Sequence, residues 1–280
     1  MTPFTTRQPS LTEITRIQIQ LLPVRVLETF GSSLISTGRG FYAFGKYFLE
    51  TVRWCFKPPY RWSLVFAQME FIGNQSLVVL IGGAFAIGAV FGLQIGSVFR
   101  VFQAESMLGA ITTKALCEEM APFVTTVLIT GRAGAAMTAE IATMRVNEQI
   151  DAMEAMAVDP ISYLVMPRFI AGMFVMPLLC AVCIFVGVIG SYSVGNLLFD
   201  IDEGTFVAKI AQLVEPKDLW RGISKAFAFS TLVTTVCCHF GLTASGGARG
   251  VGEATTKAVV SSLLATLFVD VIMTYFQVMW

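Results

Sequence analysis

Four long apolar runs dominate the pattern of hydrophobic and polar positions along the chain. Residues 76–99, 169–199 and 226–248 contain no Asp, Glu, Lys or Arg. Residues 258–280 contain a single acid, Asp270. Because about 20 apolar residues in a helix cross the hydrocarbon core of a bilayer, each run is long enough to span a membrane.

Residues 107–144 form a fifth mostly apolar segment, which also carries charges. We interpret it as a crossing helix with a polar face, because the connections on either side would otherwise be unusually long. The five segments together predict an all-α membrane protein with about five transmembrane helices. Ionisable side chains inside spans are costly and often functional, although internal pairing explains them equally well. The candidates are Glu118, Glu119, Arg132, Lys225, His239 and Asp270.

An amphipathic helix is predicted before the first span, within an N-terminal segment that covers residues 1–70; residues 71–280 form the membrane domain. The helix ends at Pro58 and Pro59, which cannot continue it. Because a span follows so closely, we expect this helix to lie in the membrane interface, with packing on a soluble neighbour as the alternative. Its apolar face consists of Phe30, Leu34, Phe41, Phe44, Phe48, Val52 and Cys55, and its charged face of Arg39, Lys46, Glu50, Arg53 and Lys57.

Residues 145–158, after the polar-faced span, predict a short amphipathic helix on the cytoplasmic side. It ends at Asp159, the predicted N-cap of the next helix, and Pro160 takes that helix's first position. The short helix is either a connector or a docking element. A methionine face beside a row of acids favours docking of a partner. The candidate coupling residues are Glu148, Asp151, Met153, Glu154 and Met156.

The composition agrees with a bilayer environment. Hydrophobic residues make up 55% of the chain and charged residues 14%, with a mean hydropathy of +0.71, whereas soluble domains carry about 25% charged residues. The net charge is zero, so no basic field attracts nucleic acid. Residues 1–10 lack an apolar stretch, so we expect no cleavable signal peptide.

Lysine and arginine residues are distributed unevenly among the connections. With the N-terminus in the cytoplasm, twelve of them lie on the cytoplasmic side and five on the outer side. The positive-inside rule therefore predicts a cytoplasmic N-terminus and an outer C-terminus.

Small residues and cysteines are the other notable features of the apolar runs. Gly88, Gly92 and Gly96 form a stripe that lets a second helix approach closely, either from the same chain or from a second copy. We interpret the six cysteines, including the pair Cys180 and Cys183, as small apolar residues and predict no metal site.

The sequence contains no GxxxxGK[ST], GxSxG or HExxH motif. Glycine-rich residues 246–252 lack the lysine of a phosphate-binding loop, and we predict a flexible cytoplasmic turn there. Any energy source must therefore be a partner protein or an ion gradient.

Several separated motifs resemble, in order, the MlaE (YrbE) permease family of MCE-linked ABC lipid transporters. They are residues 131–134 (GRAG), 139–160 (AEIATMRVNEQIDAMEAMAVDP), 167–169 (PRF) and 244–252 (ASGGARGVG). The sequence GLQ at residues 92–94 also fits. The resemblance covers about residues 30–280.

The resemblance implies a homodimer of five-helix permeases, each with an interfacial elbow helix. It implies cytoplasmic ABC ATPase subunits, which use ATP and Mg²⁺, docked on the 145–158 helix, and no cofactor in this chain. A periplasmic MCE-domain protein, expected as a hexamer, lies on the other side, and a STAS-domain protein accompanies some members. The family moves phospholipids between bacterial inner and outer membranes, so the inner membrane is the expected location.

The resemblance also implies a lipid pocket between the two permeases. By position, Glu119 and Lys225 match its polar residues. This chain has Glu118 where some members carry arginine, which changes the charge beside the head group. From the residues alone, Glu119 pairs either with Lys225 across a pocket or with nearby Lys114. The apolar wall positions correspond to Phe91, Phe99, Phe102 and Met120.

Two functions of other classes compete with an ABC permease. An ion-coupled secondary carrier would use the acids and Lys225, but the five spans show no internal inverted repeat. A lipid-modifying enzyme would need a nucleophile or metal constellation, and the sequence shows none.

Overall fold

The computed structural model describes residues 42–58 and 61–279, together with Gly38 and Gly40. Across these residues every regular element is a helix, which confirms the predicted all-α membrane class. Residues 42–55 are helical and form α1. Phe30, Leu34, Arg39 and Phe41 of the predicted interfacial helix lie outside the described residues.

Ten further α-helices follow α1 along the described part of the chain. They are α2 (Trp62–Ile72), α3 (Asn74–Val101), α4 (Leu108–Ala115), α5 (Ala121–Ile129), α6 (Ala135–Val146), α7 (Gln149–Ala155), α8 (Met166–Phe199), α9 (Glu203–Leu213), α10 (Pro216–Leu242) and α11 (Gly247–Met279).

By length and composition, four helical segments of the described chain can cross a membrane: Trp62–Val101, Ile161–Phe199, Pro216–Leu242 and Gly247–Met279. The fifth predicted crossing coincides with α4, α5 and α6, which are joined by the π-turns Leu116–Met120 and Thr130–Gly134. We call this helical stretch, residues 108–146, the polar run. Its charges make it less apolar than the other four segments.

Two predicted boundaries are wrong. Residues 246–252 are not a flexible turn, because α11 begins at Gly247 and only Thr243 to Gly246 separate it from α10. Gly246 and Gly247 have φ angles of 93° and 69°, which glycine adopts without strain. A Cβ at Gly250 would overlap the Ser245 carbonyl oxygen, so the glycines permit a tight helix start.

The predicted 145–158 helix is shorter than expected. Arg145 and the following valine end α6, and α7 covers only Gln149–Ala155. Glu148, between the two helices, has a φ angle of 58°, in the left-handed region, which interrupts the helix there. The predicted capping by Asp159 is present, because its Oδ1 atom accepts a 2.8 Å hydrogen bond from the Ile161 amide.

The glycine stripe packs α3 against α8 of the same chain. A Cβ at Gly88 would overlap the carbonyl oxygen of Gly187, and one at Gly92 would lie 3.2 Å from Ser191 Cα. A Cβ at Gly96 would overlap the ring of Phe199. The small residues therefore bring two backbones into direct contact, and of the two partners open from the sequence, the structure contains the intramolecular one.

Candidate functional site

Lys225 of α10 lies at the centre of a polar cluster formed by three helical elements. Its Nζ atom is 2.6 Å from Glu119 Oε1 and 3.2 Å from Asp270 Oδ1, and it donates a 2.7 Å hydrogen bond to Thr274 Oγ1. Thr274 in turn donates to Glu119 Oε1 at 3.0 Å. We call these four residues the Lys225 cluster.

Helical spacing explains why these residues meet. Asp270 and Thr274 are four residues apart on α11, so they share one face of that helix. Glu119 lies in the π-turn Leu116–Met120 of the polar run. A π-turn rotates successive side chains by a smaller angle than an α-helix does, which lets Glu118 and Glu119 both point towards α10.

Two further ion pairs lie towards the start of α10. Arg221 contacts Glu118 Oε1 at 3.0 Å and also donates to the Gln277 carbonyl at 3.0 Å. Lys114 lies 3.7 Å from Asp218. Lys114 therefore pairs with Asp218, and Lys225 is the partner of Glu119. Together these ion pairs form a polar seam where the polar run, α10 and α11 meet.

Exposure differs sharply within the Lys225 cluster. The Lys225 side chain is fully buried, whereas the side chains of Glu119 and Asp270 are 36% and 21% exposed. A buried ammonium is stable among apolar helices only when it is paired and hydrogen-bonded. The two carboxylates and Thr274 supply that pairing.

The structure places Glu119 and Lys225 of the predicted lipid site in contact. The four predicted apolar residues lie outside the Lys225 cluster and differ in exposure. Phe91 and Phe99 are half-buried on α3, and Phe102 at the end of that helix is exposed. Met120 follows Glu119 and is half-buried. Lipid contact by these six residues stays a prediction.

Sequence reasoning did not single out Thr274, Gln277, Arg221 or Asp218 as partners in this seam. A signal was present, because Asp270, Thr274 and Gln277 recur at helical spacing within an otherwise apolar stretch. Gln277 donates 3.2 Å hydrogen bonds to the Arg221 carbonyl and to Ser224 Oγ.

The remaining candidates inside the spans are Arg132 and His239, of which Arg132 braces the fold. Arg132 donates to the Phe71 carbonyl at 2.9 Å, to Ser76 Oγ at 2.8 Å and to Gln75 Oε1. It thereby binds the end of α2, where carbonyls lack helical partners. The half-buried His239 ring lies in a T-shaped arrangement with the ring of its neighbour Phe240, with the ring centroids 5.9 Å apart.

Arg168 is buried at the start of α8 and joins that helix to its neighbours. It forms a 2.7 Å ion pair with Glu140 of α6 and donates to the Leu164 carbonyl at 2.7 Å. An internal ion pair thus accounts for Arg168, and hydrogen bonds to neutral acceptors account for Arg132.

The predicted coupling residues lie on and beside α7. Asp151 is exposed and forms a 2.5 Å ion pair with Arg145, while Glu148, Glu154 and Met156 are also exposed; Met153 is half-buried. A cavity of about 570 Å³ adjoins them. It is lined by Arg145, Ile150, Glu154, Ala157, Val158, Asp159, Pro160, Ile161 and Leu242.

All six cysteines are free, and all except the half-buried Cys55 are buried. Burial raises the pKa of the Cys55 thiol to about 11, so this thiol is protonated and weakly nucleophilic at neutral pH. Within residues 42–58 and 61–279, no group of three or more His, Cys, Asp and Glu side chains could hold a metal ion.

Comparison with known proteins places these features in a family. The sequence profile of the family described as "Permease MlaE" matches residues 65–276. A "Probable ABC transporter permease protein" of Rickettsia bellii is 35% identical over 251 residues, which cover 90% of this chain and 97% of the relative. A protein of the same description from Synechocystis is 38% identical over 71% of this chain and 75% of its own length.

A plant protein is also similar. The Arabidopsis thaliana "Protein TRIGALACTOSYLDIACYLGLYCEROL 1, chloroplastic" is 31% identical over 215 residues, which cover 77% of this chain and 61% of the plant protein. Since the family profile matches most of the chain and the Rickettsia bellii relative aligns over nearly its whole length, this protein belongs to the MlaE permease family.

Proposed function

We propose that this chain is the membrane subunit of an ABC transporter that carries phospholipid between the inner and outer membranes of a bacterium. Family membership already makes it an ABC transporter permease, a transport subunit rather than a catalytic one. The cargo, the homodimer and the partner proteins are the proposed parts.

The observation that carries the lipid cargo is the position of the Lys225 cluster beside an exposed apolar surface. Asp270 and Thr274 of α11 contact Lys225. Yet only 11% of the most apolar 18-residue stretch of α11 is buried within the chain. Val271 and Tyr275, next to them, are exposed. A charged cluster bordered by apolar surface suits a molecule with a polar head and apolar tails.

The name of the Arabidopsis relative contains a lipid, trigalactosyldiacylglycerol, which supports a lipid cargo for this chain as well. Because the proposed pocket lies between two permeases, a second copy would face the exposed side of α11. In the pocket, Glu119 and the buried Lys225 paired with it would form the head-group end, and Phe91, Phe99, Phe102 and Met120 would contact the acyl chains.

The proposed assembly contains ABC ATPase subunits on the cytoplasmic side, where α7 offers exposed acids and methionine. ATP and Mg²⁺ act in those subunits. An MCE-domain protein, proposed as a hexamer, receives or delivers lipid on the periplasmic side, and a STAS-domain protein is a further proposed subunit. The chain would sit in the inner membrane with its N-terminus in the cytoplasm.

An ion-coupled carrier is the second candidate, because paired acids and a lysine inside helices can also exchange protons. The two candidates differ in their energy source. The decisive experiment uses the tagged chain purified together with its co-purifying proteins and reconstituted into liposomes that contain fluorescent phospholipid.

We expect an ABC ATPase to co-purify and ATP to drive phospholipid transfer to an acceptor, while a non-hydrolysable ATP analogue does not. Glu119→Ala and Lys225→Ala should each impair transfer and reduce lipid crosslinking to a photoreactive residue at Phe99, with ATPase association retained. Transfer driven by a proton gradient alone would favour the carrier instead. Absence of phospholipid transfer under both conditions would contradict the lipid cargo.

A further inference from the structure

The charges of the Lys225 cluster do not balance. Lys225 supplies one ammonium group, whereas Glu119 and Asp270 supply two carboxylates, at 2.6 Å and 3.2 Å. The neighbouring pairs Arg221–Glu118 and Lys114–Asp218 each contain one cation and one acid, so they do not compensate the difference. With all groups ionised, the cluster carries one excess negative charge.

The carboxylates of the Lys225 cluster are also more accessible than its ammonium group. Because Lys225 is fully buried behind two partly exposed carboxylates, a ligand that reaches the cluster meets carboxylate oxygens before it meets the ammonium group. An uncompensated carboxylate among apolar helices is costly, and a cationic ligand group would lower that cost. The site therefore favours a ligand that brings a positive charge.

The pair nearer the start of the polar run has the opposite arrangement. Asp218 is fully buried there, while the Lys114 side chain is 45% exposed. Lys114 lies five residues before Glu119, a little more than one helical turn along the polar run. The seam thus offers a partly exposed ammonium group on the same helical stretch as the partly exposed Glu119 carboxylate, and these two charges suit a head group with a phosphate and an ammonium.

We propose that Glu119 and Asp270 bind the ammonium group of a zwitterionic head group of the phosphatidylethanolamine class, with Lys114 available to its phosphate. The site thereby discriminates against lipids whose head group carries only a phosphate. This inference rests on the proposed phospholipid transport and adds the head-group class to it.

The experiment compares two lipids that share acyl chains and phosphate. The complex is reconstituted with equal amounts of phosphatidylethanolamine and phosphatidylethanol, which lacks the ammonium, and bound lipid is quantified by mass spectrometry after repurification. One charge-assisted hydrogen-bonding site predicts about tenfold enrichment of the ethanolamine lipid on the wild type.

Variants locate the preference. Asp270→Asn and Glu119→Gln should each reduce the enrichment towards equal binding, whereas Lys114→Gln should weaken both lipids alike. Glu253→Gln is the matched control, because Glu253 is also on α11 but forms an exposed pair with Arg249; its enrichment should equal that of the wild type.

The outcomes separate the two proposals. If the wild type binds neither lipid, the proposed phospholipid transport fails. If it binds both lipids equally, or if well-folded Asp270→Asn and Glu119→Gln variants keep the wild-type enrichment, head-group selection by these carboxylates is wrong while lipid transport stands. Should those variants misfold, equal binding of the two lipids by the wild type still overturns the inference.

Discussion

At the scale of single residues, Lys225 shows how a full charge is kept inside a bundle of apolar helices. Two carboxylates and one hydroxyl contact its ammonium group, and Thr274 also donates to Glu119, whereas Asp270 Oδ1 takes part in the 3.2 Å ion pair but accepts no hydrogen bond from the described residues. Removing one member of such a buried set leaves the others uncompensated, which costs more than the net contribution of the pair.

Lys225→Met is therefore expected to destabilise the protein by about 3 kcal/mol, since it leaves Glu119 and Asp270 without their shared cation. Unfolding by SDS in mixed micelles measures the change. The control is Lys217→Met, because Lys217 pairs with Glu215 and both side chains are 59% exposed; that variant should lie within about 0.5 kcal/mol of the wild type. A Lys225→Met protein as stable as the wild type would show that the cluster does not hold the helices together.

At the scale of helices, the glycine stripe of α3 determines how closely α8 approaches. Helices in lipid associate through close packing rather than through burial from water, so small residues carry much of the contact. A Cβ at Gly88 would overlap the backbone of Gly187, whereas a Cβ at Gly187 would lie in tight contact, 3.2 Å, with the Leu116 side chain.

Gly88→Ala should push α3 and α8 apart and cost about 2 kcal/mol or more, because the added Cβ overlaps the Gly187 carbonyl oxygen. Gly82→Ala is the matched control, since a Cβ at Gly82 would have nothing within 4 Å. The same SDS unfolding measurement compares the two. Equal stability of both variants would contradict the packing of this stripe on α8.

The acids on and beside α7 are expected to hold the ATPase. Reversing Glu148, Asp151 and Glu154 to lysine should detach the ATPase while the permease still inserts, because these side chains are exposed and three charges change sign. Co-purification from membranes measures the association. Glu203→Lys, on exposed α9, should keep the ATPase bound, and full retention on the triple variant would contradict docking at α7.

At the scale of the whole molecule, the single chain leaves much apolar helix surface exposed. Only 11% of the most apolar 18-residue stretch of α11 is buried, compared with 56% of the corresponding stretch of α10. A membrane protein can cover such a surface with lipid or with another protein, and the proposed homodimer uses part of it.

The proposed orientation places the acidic connection before α9 outside and the start of α11 in the cytoplasm. In a chain without its native cysteines, Glu203→Cys should react with a membrane-impermeant thiol reagent added to intact cells, and Gly252→Cys should not. Both positions are exposed, so the membrane side decides the result. The opposite labelling pattern would overturn the orientation inferred from the lysine and arginine distribution.

Local patterns in the sequence were sufficient for the helical class, the four apolar crossings and the ionisable candidates within them. These properties depend on runs of side-chain polarity and on helical periodicity, which are local along the chain. The motifs around residues 131–160 were sufficient for the family. Even the capping by Asp159 follows from its position before Pro160.

Only the tertiary structure decided which charges meet and which helix fills the glycine stripe. From the sequence, Glu119 could pair with Lys114 in the same helical stretch or with Lys225 on another helix. Asp270, the other acid of the cluster, lies more than a hundred residues after Glu119 in the chain. Ion pairing between helices depends on their relative rotation and on the π-turn that redirects Glu118 and Glu119. Such rotation arises from packing between separate helices, here α3 on α8 and α10 beside α11, and no local pattern encodes it.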